Sequence, residues 1–179
     1  MEVAAVASAP SAEEVSELRK HTRLSEAQIT RLHERFTALD RCGKGLISPS
    51  DFQSIASVAS NPLLSRVLTV VSSSGDGNIS FVDFAKAFAV FLPQTDRQEK
   101  LRFTYMMYDI DGDDKISNSD LMEALKMMVG PNLTDVQLQQ IVDKTFIEVD
   151  SNRDGFITFS DFEKLSLPIS LDNAHVLQF

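Results

Sequence analysis

The sequence predicts an all-α fold: four helix–loop–helix units in two paired lobes, with short β-bridges between paired loops. Three observations predict it. A twelve-residue segment rich in Asp, Asn, Ser and Gly occurs four times, beginning at residues 40, 72, 109 and 150. Its eighth position is always isoleucine (Ile47, Ile79, Ile116, Ile157). Its twelfth is always Asp (Asp51, Asp83, Asp120, Asp161), followed by Phe52, Phe84, Leu121 and Phe162. The intervals between copies leave room for one helix leaving each loop and one entering the next, and a repeat of this kind outweighs local propensity.

Taken in order, residues 1–12 (MEVAAVASAPSA) are small and low in information and read as a disordered tail. A short helix is expected from Glu13 to His21. Ser25 with Gln28 three residues on forms a capping box, and Ile29, Leu32, Phe36 and Leu39 keep a helical period behind it. Residues 13–92 then hold the N-terminal pair, with loops 40–51 and 72–83. The stretch 93–99 is the linker, since Leu92-Pro93-Gln94-Thr95 interrupts the apolar pattern. Residues 100–168 hold the C-terminal pair, with loops 109–120 and 150–161, and 169–179 form a C-terminal tail. Asp96 with Glu99, and Thr134 with Gln137, are the expected helix caps in this half. Ile47 with Ile79, and Ile116 with Ile157, are the expected loop-pairing residues.

The chemistry lies in the loops. Side chains at positions 1, 3, 5 and 12 of an EF-hand loop, with the carbonyl at position 7, hold a hard cation such as Ca²⁺. The third copy supplies Asp109, Asp111, Asp113 and Asp120, with the Lys115 carbonyl. The fourth supplies Asp150, Asn152, Asp154 and Asp161, with the Phe156 carbonyl. Both are read as metal sites. Position 6 requires a left-handed backbone, so Asp114 there is strained by about 1–2 kcal/mol where Gly155 is not. The second copy keeps only Asp76 and Asp83, with Ser72 and Ser74 replacing two anions. The first keeps Asp40 and Asp51, but Cys42 and Lys44 stand at positions 3 and 5. These two are read as degenerate, empty or weak.

A second role competes at position 12. Ser48, Ser80, Ser117 and Thr158 precede the four Asp residues by three, which is also a helix N-cap with its acidic partner, stabilising by about 1 kcal/mol without metal. Capping is enough to explain the first two loops. The acids at positions 1, 3 and 5 of the last two have no capping use. Asp at position 12 is shorter than the usual bidentate Glu, which predicts weaker Ca²⁺ binding and better Mg²⁺ tolerance.

The 179 residues carry a net charge of −9, which disfavours nucleic acid as a partner. A single cysteine, Cys42, forms no internal disulfide and fits a reducing compartment. No apolar run approaches the roughly 20 residues of a membrane span. With Glu at the second position, no lipid anchor is expected, and the chain is read as cytoplasmic. His21, His33 and His175 lack any nucleophile or metal-ligand pattern around them, and an enzyme is not expected.

Two segments are more apolar than a core stripe requires. In FVDFAKAFAVFL (81–92), Phe84, Phe88 and Phe91 form one stripe, while Val82, Ala89 and Val90 lie off it. In LMEALKMMV (121–129), Leu121, Leu125 and Met128 form a stripe, while Met122, Met127 and Val129 lie elsewhere. Five of the six methionines fall between 106 and 128, and flexible thioethers suit a groove for a partner helix. Val82, Phe88, Phe91, Met122, Met127 and Met128 are the candidate groove residues. A plain core stripe is the competing reading of each.

The runs LRFTYMMYDIDGDDKIS, LKMMVGPNLTDVQLQQIVDKT and NPLLSRV resemble calcineurin B, the regulatory chain of the calcineurin phosphatase. The stretch EEVSELRKHTRLSEAQITRLHERFTALD is similar to the calcineurin B homologous proteins, which bind sodium/proton exchangers. The resemblance implies a non-catalytic regulatory partner in a heterodimer, clasping an amphipathic helix of a calcineurin A-type serine/threonine phosphatase and making it responsive to Ca²⁺. It carries over metal sites only to loops three and four, two ions in all. An adaptor of a membrane exchanger tail, or a simple calcium buffer, are the alternatives it leaves open.

Overall fold

The fold is taken from a computed structural model of the full chain, which describes residues 9–55 and 61–166. The chain divides into two compact units, Met1–Thr95 and Asp96–Phe179. The expected terminal tails, apart from residues 9–12, lie outside the described residues. Among the described residues no helix is long and apolar enough to cross a membrane.

In the first unit, α1 (Ala12–His21) begins one residue before the expected start, because Ser11 and Glu14 form a capping box. The box predicted at Ser25 and Gln28 opens α2 (Glu26–Leu39). A short strand β1 (Leu46–Ile47) leads to α3 (Pro49–Gln53), and α4 (Leu64–Val71) leads to β2 (Ile79–Ser80) and α5 (Phe81–Val90). The strands pair antiparallel with Ile47 opposite Ile79, so the eighth positions of loops one and two join as the repeat predicted. Both isoleucines are buried beneath the pairing, among Leu18, Ile29, Phe36 and Phe84. Helix α5 packs on α1, α2 and α4, and Lys86 Nζ reaches Glu17 Oε1 on α1 at 2.7 Å. It ends two residues short of Leu92. Pro93 disfavours helix at the residue before it, and the Thr95 hydroxyl donates to the Ala89 carbonyl at 2.5 Å.

The second unit comprises α6 (Arg97–Tyr108), α7 (Asn118–Val129), a 3₁₀ turn (Gly130–Asn132), α8 (Asp135–Val149) and α9 (Phe159–Ser166). Thr134 and Gln137 form the expected capping box on α8. Asp96 caps α6 by accepting from the Gln98 amide rather than by pairing with Glu99. Loops three and four join through a reciprocal bridge: the Ile116 amide donates to the Ile157 carbonyl at 3.0 Å, and the Ile157 amide returns the bond at 2.9 Å. Tyr105, Leu121, Val142 and Val149 pack beneath them.

Candidate metal centre

Each loop is hung between two helix ends. Its first residue (Asp40, Ser72, Asp109, Asp150) is the C-cap of the entering helix, with its amide bonded to the carbonyl four residues back. The ninth precedes the exiting helix, where the twelfth-position Asp reaches back to it. Asp51, Asp83, Asp120 and Asp161 each accept from both the amide and the hydroxyl of Ser48, Ser80, Ser117 or Thr158. The capping role is therefore present in all four loops.

Positions 4 and 6 have positive φ in every loop. Glycine occupies both in loops one and two. Loop three places Asp114 (φ 67) at position 6, and loop four places Arg153 (φ 58) at position 4. Left-handed geometry costs most side chains about 1–2 kcal/mol, though Asp tolerates it better than most. The two loops richest in ligand groups are thus the two that hold a strained residue.

Loop three gathers its acids. Carboxylate oxygens of Asp109, Asp111 and Asp113 lie within 4.8 Å of one another. Asp109 is buried and receives the Gly112 amide at 2.9 Å and the Asp114 amide at 3.1 Å. Burial nonetheless pushes its carboxyl above the ordinary range, more than the backbone amides lower it. A buried carboxylate so placed gains from a cation beside it. Asp120 is buried at the first turn of α7, one oxygen held by Ser117, and is not one of the three clustered acids. Asp113 receives the Lys115 amide at 2.9 Å. The donor set, hard oxygens converging from positions 1, 3 and 5, fits a divalent cation.

Loop four follows the same plan with one acid fewer. Asp150, also buried, receives the Gly155 amide at 2.9 Å. The Asn152 amide group lies 2.9 Å from Asp154, whose carboxylate also receives the Phe156 amide at 3.0 Å. Asp161 is held below the ordinary carboxylate range, chiefly by the Thr158 hydroxyl, with Ser151 donating to its other oxygen at 2.9 Å. Lys115 and Phe156, the two seventh residues, meet across the bridge with the ammonium 4.9 Å from the ring centroid.

Loop two closes on itself. Asp76 accepts from the Ser74 hydroxyl at 2.6 Å and from Asn78 through backbone and side chain, which holds it far below the ordinary range. Ser72 bonds the Asn78 carbonyl at 2.8 Å and also faces Ser74 and Asp76, while Ser73 donates to Asp83. Ser73 and Ser151, both at position 2, were not singled out from sequence. Their signal is a serine ten residues before a twelfth-position Asp, too common to notice without coordinates. In loop one, Asp40 receives the Lys44 and Gly45 amides at 3.1 and 2.7 Å, while Cys42 and Lys44 are exposed.

The candidate groove residues fall in separate units. Val82 and Phe88 are half-buried against the first core, with Phe88 5.0 Å from the Phe84 ring, and Phe91 is half-buried at the end of α5. Met122 is half-buried against the second core and Met127 is half-buried, while Met128 is exposed.

A family model for an EF-hand domain pair matches residues 98–167, the segment that holds the acid cluster and the Ile116–Ile157 bridge. Similarity to known proteins extends well beyond it. Calcineurin B of Naegleria gruberi is 48% identical over 161 residues, covering 90% of this chain and 91% of that one. Calcineurin B type 1 of Dictyostelium discoideum is 43% identical over 150 residues, 84% and 83% of the two chains. Calcineurin B of Schizosaccharomyces pombe is 46% identical over 149 residues, 83% and 86%. Identity at this level over 83–90% of the chain goes further than a shared EF-hand pair: the chain belongs to the calcineurin B family of calcium-binding regulatory subunits.

Proposed function

We propose that this chain is the calcium-responsive partner of a calcineurin-type serine/threonine phosphatase, that it contributes no catalytic group, and that its response resides in the C-terminal unit. The observation that carries the reading is the convergence of Asp109, Asp111 and Asp113 in loop three of a calcineurin B family member. Two ions are assigned. Asp109, Asp111, Asp113, the Lys115 carbonyl and Asp120 would hold one; Asp150, Asn152, Asp154, the Phe156 carbonyl and Asp161 would hold the other. A bound cation supplies positive charge that offsets the buried carboxylates and draws positions 1 and 12 together. Loops one and two, with Asp40, Asp51, Asp76 and Asp83 engaged in their own hydrogen bonds, serve as ion-free structural turns.

Asp at position 12 favours compact coordination, so Mg²⁺ is expected to compete with Ca²⁺. Isothermal titration with Ca²⁺ in millimolar Mg²⁺ tests this, and submicromolar affinity indifferent to Mg²⁺ would contradict it. Val82, Phe88 and Phe91 of the first unit, and Met122, Met127 and Met128 of the second, are each assigned to contacts with an amphipathic helix of the catalytic chain, in the cytoplasm. Affinity capture of the tagged chain from its own cells, in Ca²⁺ and in chelator, tests the partner. A stoichiometric phosphatase catalytic chain is expected. A membrane exchanger would make the protein an adaptor instead, and recovery of no stoichiometric partner would make it a buffer.

A further inference from the structure

Tyr105 lies in the core of the C-terminal unit, with none of its surface exposed. Its ring meets Phe159 and Phe162 edge-on. Its hydroxyl, however, is aimed at both loops: it stands 2.9 Å from the Asp114 carbonyl of loop three and 2.9 Å from the Ile157 carbonyl of loop four. A phenol has one proton to donate, so the two loops share it. Burial, together with the charges of Asp109 and Asp114, pushes this phenol up to about 12, so it remains a donor at neutral pH.

Both acceptors occupy critical points. Asp114 is loop three's non-glycine residue in the left-handed region, and its amide donates to Asp109, the first ligand of that loop. Ile157 is the bridge residue, and the carbonyl that faces Tyr105 also accepts the Ile116 amide. One turn before Tyr105 on α6, Arg102 places Nη2 2.8 Å from the Asp114 carboxylate, with its guanidinium 5.1 Å from the Phe159 ring centroid. Backbone and side chain of the strained residue are thus held from the same face of one helix.

We propose that Tyr105 is a positioning residue for the calcium loops: with Arg102 it braces Asp114 in the left-handed conformation, and by sharing its proton with Ile157 it couples loop three to loop four. The proposal rests on the reading of these loops as the calcium sites. Phenylalanine at 105 would fill the same space and lose the donor. Loop three would then be less ordered before an ion arrives, and filling one loop would do less for the other.

The test is a calcium titration of the ¹⁵N-labelled full chain by NMR, following the Asp114 and Gly155 amides. Each donates to the first ligand of its own loop, so the loops are read separately. In the wild type both amides should move together with a Hill coefficient approaching 2, the limit for two coupled sites. Tyr105→Phe should weaken loop three about five- to tenfold, an effect of about 1–1.4 kcal/mol, and separate the two midpoints. In an Asp114→Gly background the same change should matter less, because glycine needs no brace. Arg102→Gln, outside the core, should weaken loop three about two- to threefold, consistent with an exposed ion pair. Unchanged midpoints and slope in Tyr105→Phe, or an equal loss in both backgrounds, would overturn the brace while leaving the calcium sites standing. Wild-type amides that ignore calcium would overturn the calcium reading and the brace with it.

Discussion

At the scale of residues, the twelfth-position aspartates carry two duties that substitution can separate. Asp120 accepts from Ser117 and so holds the first turn of α7; it is also the assigned last ligand of loop three. Asp120→Ala should abolish metal binding there and remove a cap contribution of about 1 kcal/mol. Asp120→Asn keeps an acceptor for Ser117 and loses the charge, so calorimetry should show metal binding lost with the melting temperature in chelator nearly unchanged. Binding retained in Asp120→Asn would assign Asp120 to the cap alone. Asp114→Gly removes strain of about 1–2 kcal/mol and an exposed ion pair worth about 0–1 kcal/mol. The balance predicts tighter Ca²⁺ binding at loop three, by up to about thirtyfold, checked by competition with a chromophoric chelator. The left-handed backbone at Asp114 followed from its place in the loop pattern. The Tyr105 hydroxyl did not, because nothing in a helical tyrosine four residues before a loop says which carbonyl it will find.

At the scale of elements, loops two and three show two ways of closing the same turn. Loop three leaves buried Asp109 with its carboxyl pushed up by desolvation, which the proposed cation would relieve. Loop two meets the need internally, with serine hydroxyls and Asn78 satisfying Asp76. Ser72→Asp with Ser74→Asp restores acids at positions 1 and 3 and removes those hydroxyls. The double variant should gain a calcium-dependent site, seen as one additional ion in a titration, while the parent gains none in loop two. The hydroxyls also set a pH dependence. The carboxyl of Asp76 is held low by Ser74 and Asn78 and that of Asp51 by Ser48, so both are depressed on folding. Their contribution is present above the unfolded value of about 4 and lost as pH falls below it. Thermal melts of the full chain in chelator should therefore be flat between about pH 7 and 5 from these two groups and decline below about pH 4. Replacing Asp76 by Asn should shrink that decline.

Helix identity and order were legible because periodicity and capping boxes are local; the Ser25–Gln28 and Thr134–Gln137 caps formed as read. The pairing of Ile47 with Ile79 and of Ile116 with Ile157 was legible from the repeat alone. The serine network of loop two was not, since the sequence showed two missing acids but not the hydrogen bonds that take their place.

At the scale of the whole molecule, the proposed metal assignment makes the two units unequal: the first folded around ion-free loops, the second waiting for metal. Hydrogen exchange in Ca²⁺ against chelator should show protection gained at 109–120 and 150–161, and none at 40–51 and 72–83. Family membership was legible from runs such as LKMMVGPNLTDVQLQQIVDKT, and identity of 43–48% to calcineurin B chains across both units agrees with it. The proposed division of labour between the units rests on a count of acids at fixed loop positions. The most direct test is native mass spectrometry of the full chain titrated with calcium, counting bound ions in the wild type and in Asp120→Asn. Two ions and then one are expected. Four ions in the wild type, or two retained in the variant, would contradict the assignment.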